Sequence, residues 1–132
     1  MKILLADGRP GLLSAVRLLL EQDSQSWEIT GEAANVQELD RLLLQTQPDL
    51  LLVDWELPGF PLKPLPITRH PMQFQIFRLH EEYPALHIVI MSGKPEARLE
   101  ALQYGASGFI SKGDPPEVVL ETLQKAIPKG AV

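Results

Sequence analysis

Four short apolar runs in this chain each end in a residue able to do polar chemistry. Leu50-Leu51-Leu52-Val53 runs into Asp54, Ile3-Leu4-Leu5-Ala6 into Asp7, Ile88-Val89-Ile90-Met91 into Ser92, and Gly108-Phe109-Ile110-Ser111 into Lys112. Runs of this length separated by helical patterns are what a parallel sheet covered on both faces requires, and such sheets bind ligands beyond the carboxyl ends of their strands. Two acids that can attack or hold a cation, a hydroxyl that can donate and an amine that can neutralise anionic charge therefore meet at one edge. Taken singly, Asp7 fits a turn before Gly8, Ser92 a turn hydroxyl and Lys112 a surface amine. Four polar strand ends in register outweigh that reading.

The elements that must position these groups follow from spacing. Pro10 suits a first helical position, and Leu12, Leu13, Val16, Leu19 and Leu20 recur on one helical face. Trp27 to Ala34 reads as a second strand, and Asn35 with Glu38 as a capping box opening a helix that Pro48 stops. Met72 to Tyr83, with Phe74, Phe77 and Leu79, gives a third helix; about Pro95 to Tyr104 a fourth, capped by Gly105. Asp114, Pro115 and Glu117 open a fifth, carrying Val119, Leu123 and Ile127 and ended by Pro128 and Gly130. Five strands alternating with five helices predict an α/β, flavodoxin-like, doubly wound parallel sheet in the order 2-1-3-4-5.

Between Pro58 and Pro71 lie five of the twelve prolines, so this stretch is neither helix nor central strand and forms an insertion beside the site. Lys63, Arg69 and His70 within it offer positive charge to a donor or partner; a solvated insertion is the plainer reading. The net charge of -5 argues against direct nucleic-acid binding. With no cysteines, disulfides and thiolate metal sites are excluded. No apolar stretch is long enough to span a membrane and no signal-peptide pattern leads the chain, so a soluble, cytoplasmic protein is expected. His70, His80 and His87 show no paired ligand spacing. Trp55 is expected at the rim of the site and Trp27 at the edge of the core.

These residues resemble the receiver domains of two-component response regulators, over nearly the whole 132-residue chain, read as one domain with an insertion at about 58–71. Asp54 in Val53-Asp54-Trp55-Glu56-Leu57-Pro58-Gly59 looks like the phosphoacceptor, Ser92 like the hydroxyl switch, Lys112 after Gly105-Ala106-Ser107-Gly108-Phe109 like the invariant amine, and Phe109 like the aromatic switch. The resemblance implies a phosphorylation-dependent switch, not an enzyme beyond its own phosphorylation and dephosphorylation, that takes phosphate from a histidine kinase or phosphotransfer protein. It also implies Mg²⁺ held by Asp7, Asp54 and the Glu56 backbone carbonyl, and an output surface at helix 4, strand 5 and helix 5 that can form a homodimer. Once phosphate arrives, Ser92 would swing to it and Phe109 turn inward. Gly113-Asp114 after Lys112 is similar to receivers that precede a helix-turn-helix output domain.

Two departures stand out. The family's acidic pair is Asp7-Gly8 here, so the second acid is missing, which weakens Mg²⁺ by about tenfold or more. Alternatively Arg9 folds into the acidic pocket and makes a pseudo-receiver, a binding module that works without phosphate, or Glu56 supplies the lost charge. The sequence leaves these open. Between Asp54 and Ser92 the chain is also about eight to nine residues longer than the family's usual spacing. A flavodoxin-like or hydrolytic enzyme on the same sheet edge is disfavoured, because no phosphate-cradling Gly-rich loop and no Gly-x-Ser-x-Gly elbow is present.

Overall fold

The computed structural model describes residues 1–23, 27–59 and 71–127. Within them the chain alternates strand and helix: β1 Lys2–Ala6, α1 Pro10–Gln22, β2 Glu28–Ala33, α2 Val36–Thr46, β3 Leu50–Asp54, α3 Pro71–Glu82, β4 His87–Ser92, α4 Ala97–Gln103, β5 Gly108–Ser111 and α5 Pro116–Lys125. All pairings are parallel, in the order β2-β1-β3-β4-β5. This is the expected flavodoxin-like sheet. The central strands are apolar on both faces because both are covered: Ile3, Leu4, Leu5, Leu50, Leu51, Leu52, Ile88, Val89 and Ile90 have no exposed surface.

Alternation along each strand splits the core into two layers. Leu4, Leu51, Val53, Ile88 and Ile90 join the cluster with Leu39 and Leu43 of α2, Ile76 and Leu79 of α3 and Ala97 and Ala101 of α4. Ile3, Leu5, Leu50, Leu52 and Val89 join the other, with Leu13, Val16 and Leu20 of α1 and Leu123 of α5. Register brings the carboxyl ends level, with Ala6 opposite Val53, Asp54 opposite Met91 and Ser92 opposite Ser111. The polar residues at those ends share one edge as a direct result.

Local signals explain the helix ends. The Asn35 side chain accepts from the Glu38 N–H at 2.9 Å, and Glu38 Oε2 accepts from the Ala34 N–H at 2.8 Å, a capping box reaching one residue further back than usual. Gly105, at φ +105°, follows the C-cap Tyr104. The Gly105 N–H donates to Leu102 O and the Ala106 N–H to Ala101 O, the paired bonds of a Schellman turn.

Several local expectations are corrected. In α3 the buried residues are Met72, Gln75, Ile76 and Leu79, whereas Phe74 and Phe77 are 44% and 66% exposed. At 3.6 residues per turn Phe77 sits roughly 200° around the helix from Leu79, so both cannot face the sheet. Helix α4 begins at Ala97, two residues later than expected, after a turn in which Ala97 N–H donates to Lys94 O and Arg98 N–H to Pro95 O. Asp114 does not cap α5. Pro115 holds that position, and the Asp114 side chain accepts from the Ser111 N–H at 2.9 Å, closing the turn that contains Lys112.

Trp55 is also corrected. It is 3% exposed and belongs to the core, because strand alternation turns it away from the face Asp54 uses. Trp27 does lie at the core's edge, its Nε1 donating to Asp23 Oδ2 at 2.7 Å. The Pro-rich insertion, with Lys63, Arg69 and His70, falls outside the described residues except at its ends, as do Pro128, Gly130 and the side chain of Leu12.

Candidate functional site

Asp7, just beyond β1, is 1% exposed, and Asp54, the last residue of β3, is 5% exposed. Asp7 is locked by its own backbone: its N–H donates to Ala33 O at 2.9 Å and its Oδ1 accepts from the Arg9 N–H at 2.8 Å. Ser92 ends β4, and its carbonyl accepts from the Lys112 N–H at 2.9 Å, which pins Lys112 beside it. The Asp114 turn secures the other side of that lysine. Its ammonium reaches inward to lie 3.2 Å from Asp7 Oδ2 and 3.3 Å from Asp54 Oδ1. The four strand-end residues are thus brought together.

The two inward oxygens are of special interest. Asp7 Oδ2 and Asp54 Oδ1 are buried and, at ion-pair distance from Lys112, still make no hydrogen bond of good geometry. Buried carboxylate oxygens in that state favour a further cation or donor. Burial, then the charge of Asp7, raises the Asp54 pKa above the ordinary aspartate value, against the lowering effect of the Glu56 backbone hydrogen bond and of Lys112. Around them opens a solvent-connected cavity of about 450 Å³ lined by Asp7, Gly8, Asp54, Ser92, Lys94 and Lys112, with Arg9, Glu56, Pro58 and Gly93 completing its wall.

The three outcomes left open for Gly8 can now be compared. Arg9 is exposed, and the ammonium facing Asp54 is that of Lys112, so the guanidinium does not fill the acidic pocket. Glu56 stands at the mouth, its carboxylate 3.5 Å from Lys94 Nζ, with both side chains more than half exposed. Among the described residues no three Asp, Glu, His or Cys side chains cluster as a metal site. At position 8 itself, a Cβ would meet Pro58 Cδ at 3.1 Å and Cγ at 3.2 Å. Pro58 therefore crowds the space into which a second acid would project.

Phe109 is 7% exposed, its ring already within the core cluster beneath α2, α3 and α4. His80 Nε2 donates to Gly105 O at 3.0 Å, a link between α3 and the end of α4. Lys94 and Pro58 were missed as members of the site. Their signal was positional: Lys94 stands two residues after Ser92 just as Glu56 stands two after Asp54, and Pro58 is the first proline past the strand.

Comparison with known proteins agrees with this geometry. The family model for the response regulator receiver domain matches residues 3–124. The transcriptional activator protein ExaE of Pseudomonas putida is 30% identical over 129 residues, covering 96% of this chain and 55% of that protein. The nitrate/nitrite response regulator protein NarL of Escherichia coli K12 is 31% identical over 126 residues, covering 94% and 53%. This chain thus spans about half the length of the curated relatives it matches. Among solved structures, a LuxR-family two-component response regulator from Aurantimonas sp. superposes with TM-score 0.74 at 26% identity, covering 93% of this chain and 81% of that one. The isolated receiver domain of RcsB from Salmonella enterica serovar Typhimurium, in the presence of the phosphomimetic BeF3-, gives TM-score 0.75 at 24% identity, covering 95% and 88%, a likeness of fold. With the sheet edge and the family match in agreement, the chain belongs to the response regulator receiver domain family.

Proposed function

We propose that this chain is a phosphorylation-dependent switch whose Asp54 accepts a phosphoryl group from the phosphohistidine of a histidine kinase or phosphotransfer protein. The observation that carries the reading is the Lys112 ammonium held between Asp7 and Asp54 at 3.2 and 3.3 Å in an open cavity. An Asp54 oxygen bonds to phosphorus as the phosphorus–nitrogen bond of the donor breaks. The electron pair returns to the imidazole and an acyl phosphate remains on Asp54. Lys112 neutralises the phosphoryl oxygens that would repel the attacking carboxylate, and the Ser92 hydroxyl donates to one of them. The raised basicity of Asp54 suits it to attack.

The residues present fit a hydrated Mg²⁺. Asp7 Oδ2 and Asp54 Oδ1, in ion-pair contact with Lys112, make no hydrogen bond of good geometry, and magnesium takes one or two carboxylates while keeping several waters. Asp7, Asp54 and the Glu56 backbone carbonyl would hold it. Bound there it would supply further neutralisation of the transferring group. Mass measurement of the intact chain after incubation with acetyl phosphate tests the reading. One phosphoryl group is expected, dependent on Mg²⁺, and absent in Asp54→Asn; an unlabelled wild-type chain would overturn it.

One observation favours the second reading, a phosphate-independent binding module: position 8 lacks its carboxylate and Pro58 crowds the vacated space. The labelling experiment separates the two readings, and Gly8→Asp measures what the missing carboxylate costs. The added carboxylate should tighten Mg²⁺ by about tenfold in a titration. It should also cost about 1 kcal/mol of stability, because Pro58, whose carbonyl accepts from the Val36 N–H, must shift. Unchanged Mg²⁺ affinity would show that a carboxylate at this position does not reach the ion.

The relatives named as transcriptional regulators support a role in transcription control, with DNA contact made outside this acidic segment. Among the described residues no helix is long and apolar enough to cross a membrane. A cytoplasmic setting follows from the kinase-driven role proposed. The output surface, and a homodimer if one forms, is assigned to α4, β5 and α5, where Leu99, Leu102 and Val118 are exposed.

A further inference from the structure

Between α1 and α5 lies a smaller cavity, of about 180 Å³, in the layer of the core that those two helices cover. Its floor is the buried trio Leu52, Met91 and Ile110, and its walls are Val16 and Leu19 of α1 and Val119 of α5. Ala15 and Pro116, both exposed, also line it, so it opens to solvent between the helices. A methyl group at position 15 and a proline ring at the start of α5 leave unfilled a space that longer side chains would close.

Its polar lining is Ser111, Lys112 and Asp114, grouped around the end of β5. The Lys112 ammonium is committed to Asp7 and Asp54 at 3.2 and 3.3 Å, and Lys112 lines the acidic cavity as well. Its carbon stem is thus the partition between the two spaces. Leu52 stands two residues before Asp54 on β3, so the floor of one cavity and the acid of the other project from the same face of the sheet. Asp114 Oδ2 accepts from the Ser111 N–H at 2.9 Å, and a carboxylate keeps acceptor capacity beyond one such bond.

We infer that this cavity binds a small neutral molecule, an apolar body about the size of one aromatic ring carrying a single hydroxyl or N–H donor for Asp114. Volume sets the size, since an apolar cavity of roughly 150 Å³ takes up benzene. The lining sets the charge: an anion would meet the Asp114 carboxylate, and an ammonium would exchange its hydration for a mostly aliphatic wall. An occupant packs against the Lys112 stem and so restrains the lysine on which the acidic site depends. The site stands apart from the function proposed above; only its effect on phosphorylation rests on that reading.

Phenol is the probe, titrated into the full chain and followed by methyl and lysine side-chain NMR. It should saturate with a Kd of about 1 mM or below, shifting the methyl groups of Val16, Leu19, Leu52, Ile110 and Val119 together with the Lys112 ε-methylene. Toluene matches phenol in size and lacks the donor. Phenol should bind at least as tightly, because a buried hydroxyl without an acceptor would put it well behind. Val119→Phe, which carries a ring into the space, should weaken phenol by about tenfold or more; if that variant fails to fold, Ala15→Leu takes its place. Shifts that do not saturate, or that centre on the exposed Leu44, Phe74 and Phe77, would overturn the site, as would unchanged binding in the variant. Leu19 and Val119 methyl groups that move on dilution of the chain alone would show a second copy covering the cavity, and would overturn it equally. Toluene tighter than phenol by about tenfold would overturn the donor. Saturating phenol should change the rate of labelling by acetyl phosphate by about twofold or more. Labelling indifferent to bound phenol would overturn the coupling through Lys112, whereas a chain that takes no label yet binds phenol loses the switch and keeps the site.

Discussion

Lys112→Met should lower the stability of this chain by about 3 kcal/mol at neutral pH, and slow phosphorylation by acetyl phosphate about a hundredfold. Methionine nearly matches the lysine stem in length, so packing changes little and the loss is that of the charge. The two side chains left facing each other are 0% and 7% exposed, and this ammonium bridges them at 3.2 and 3.3 Å. Removing one partner of a buried ionic group costs far more than the group contributes whole, because the remaining charges stay desolvated. The pH dependence identifies the cause. Burial and Asp7 raise the Asp54 pKa above 3.8, so as acid protonates Asp54 the repulsion disappears and the urea midpoints of variant and wild type should converge as pH falls toward about 4. Equal midpoints at pH 7 would show that Lys112 is not what holds the two acids together.

Much of this site was legible because it is built from strand ends. Runs without a polar residue mark strands covered on both sides, and a parallel sheet brings their carboxyl ends level, so Asp7, Asp54, Ser92 and Lys112 could be placed together from spacing alone. The capping box at Asn35 and the glycine after α4 were legible for the same reason: each rests on bonds within four or five residues.

What escaped depends on contacts distant in sequence or on a choice between equivalent local bonds. Trp55 adjoins Asp54 in sequence, yet alternation sends it into the opposite layer, where its partner, Tyr104, lies 49 residues further on. Asp114 is well suited to cap α5, but the Ser111 N–H was the competing donor, and bonding it closes the turn that aims Lys112. Phe74 and Phe77 looked like core residues by type; the helix period decided otherwise by selecting Met72, Ile76 and Leu79. The missing acid at Gly8 was visible, but not that a proline fifty residues away fills the neighbouring space. Hydropathy orders residues along a chain, and such packing is set between chain segments.

Asp54→Asn should abolish labelling by acetyl phosphate and, at the same time, raise the stability of the unphosphorylated chain at pH 7. Burial and the neighbouring Asp7 raise the pKa of Asp54 from 3.8, so the native state holds this proton more tightly than the unfolded chain does. Stability then falls as pH rises from that ordinary value through the raised one, and at neutral pH the ionised carboxylate is a net burden on the fold. Asparagine keeps the shape and sheds the charge, leaving Lys112 paired with Asp7 alone. The variant's urea midpoint should exceed that of wild type at pH 7, with the difference closing as pH falls toward 4. A midpoint below wild type at pH 7 would mean that the attraction of Lys112 outweighs burial and Asp7 together. If the predicted order holds, the fold maintains a charge that weakens it at the one position where an attacking carboxylate is required, and Mg²⁺ or a phosphoryl group brought to the pocket would act on that strained charge.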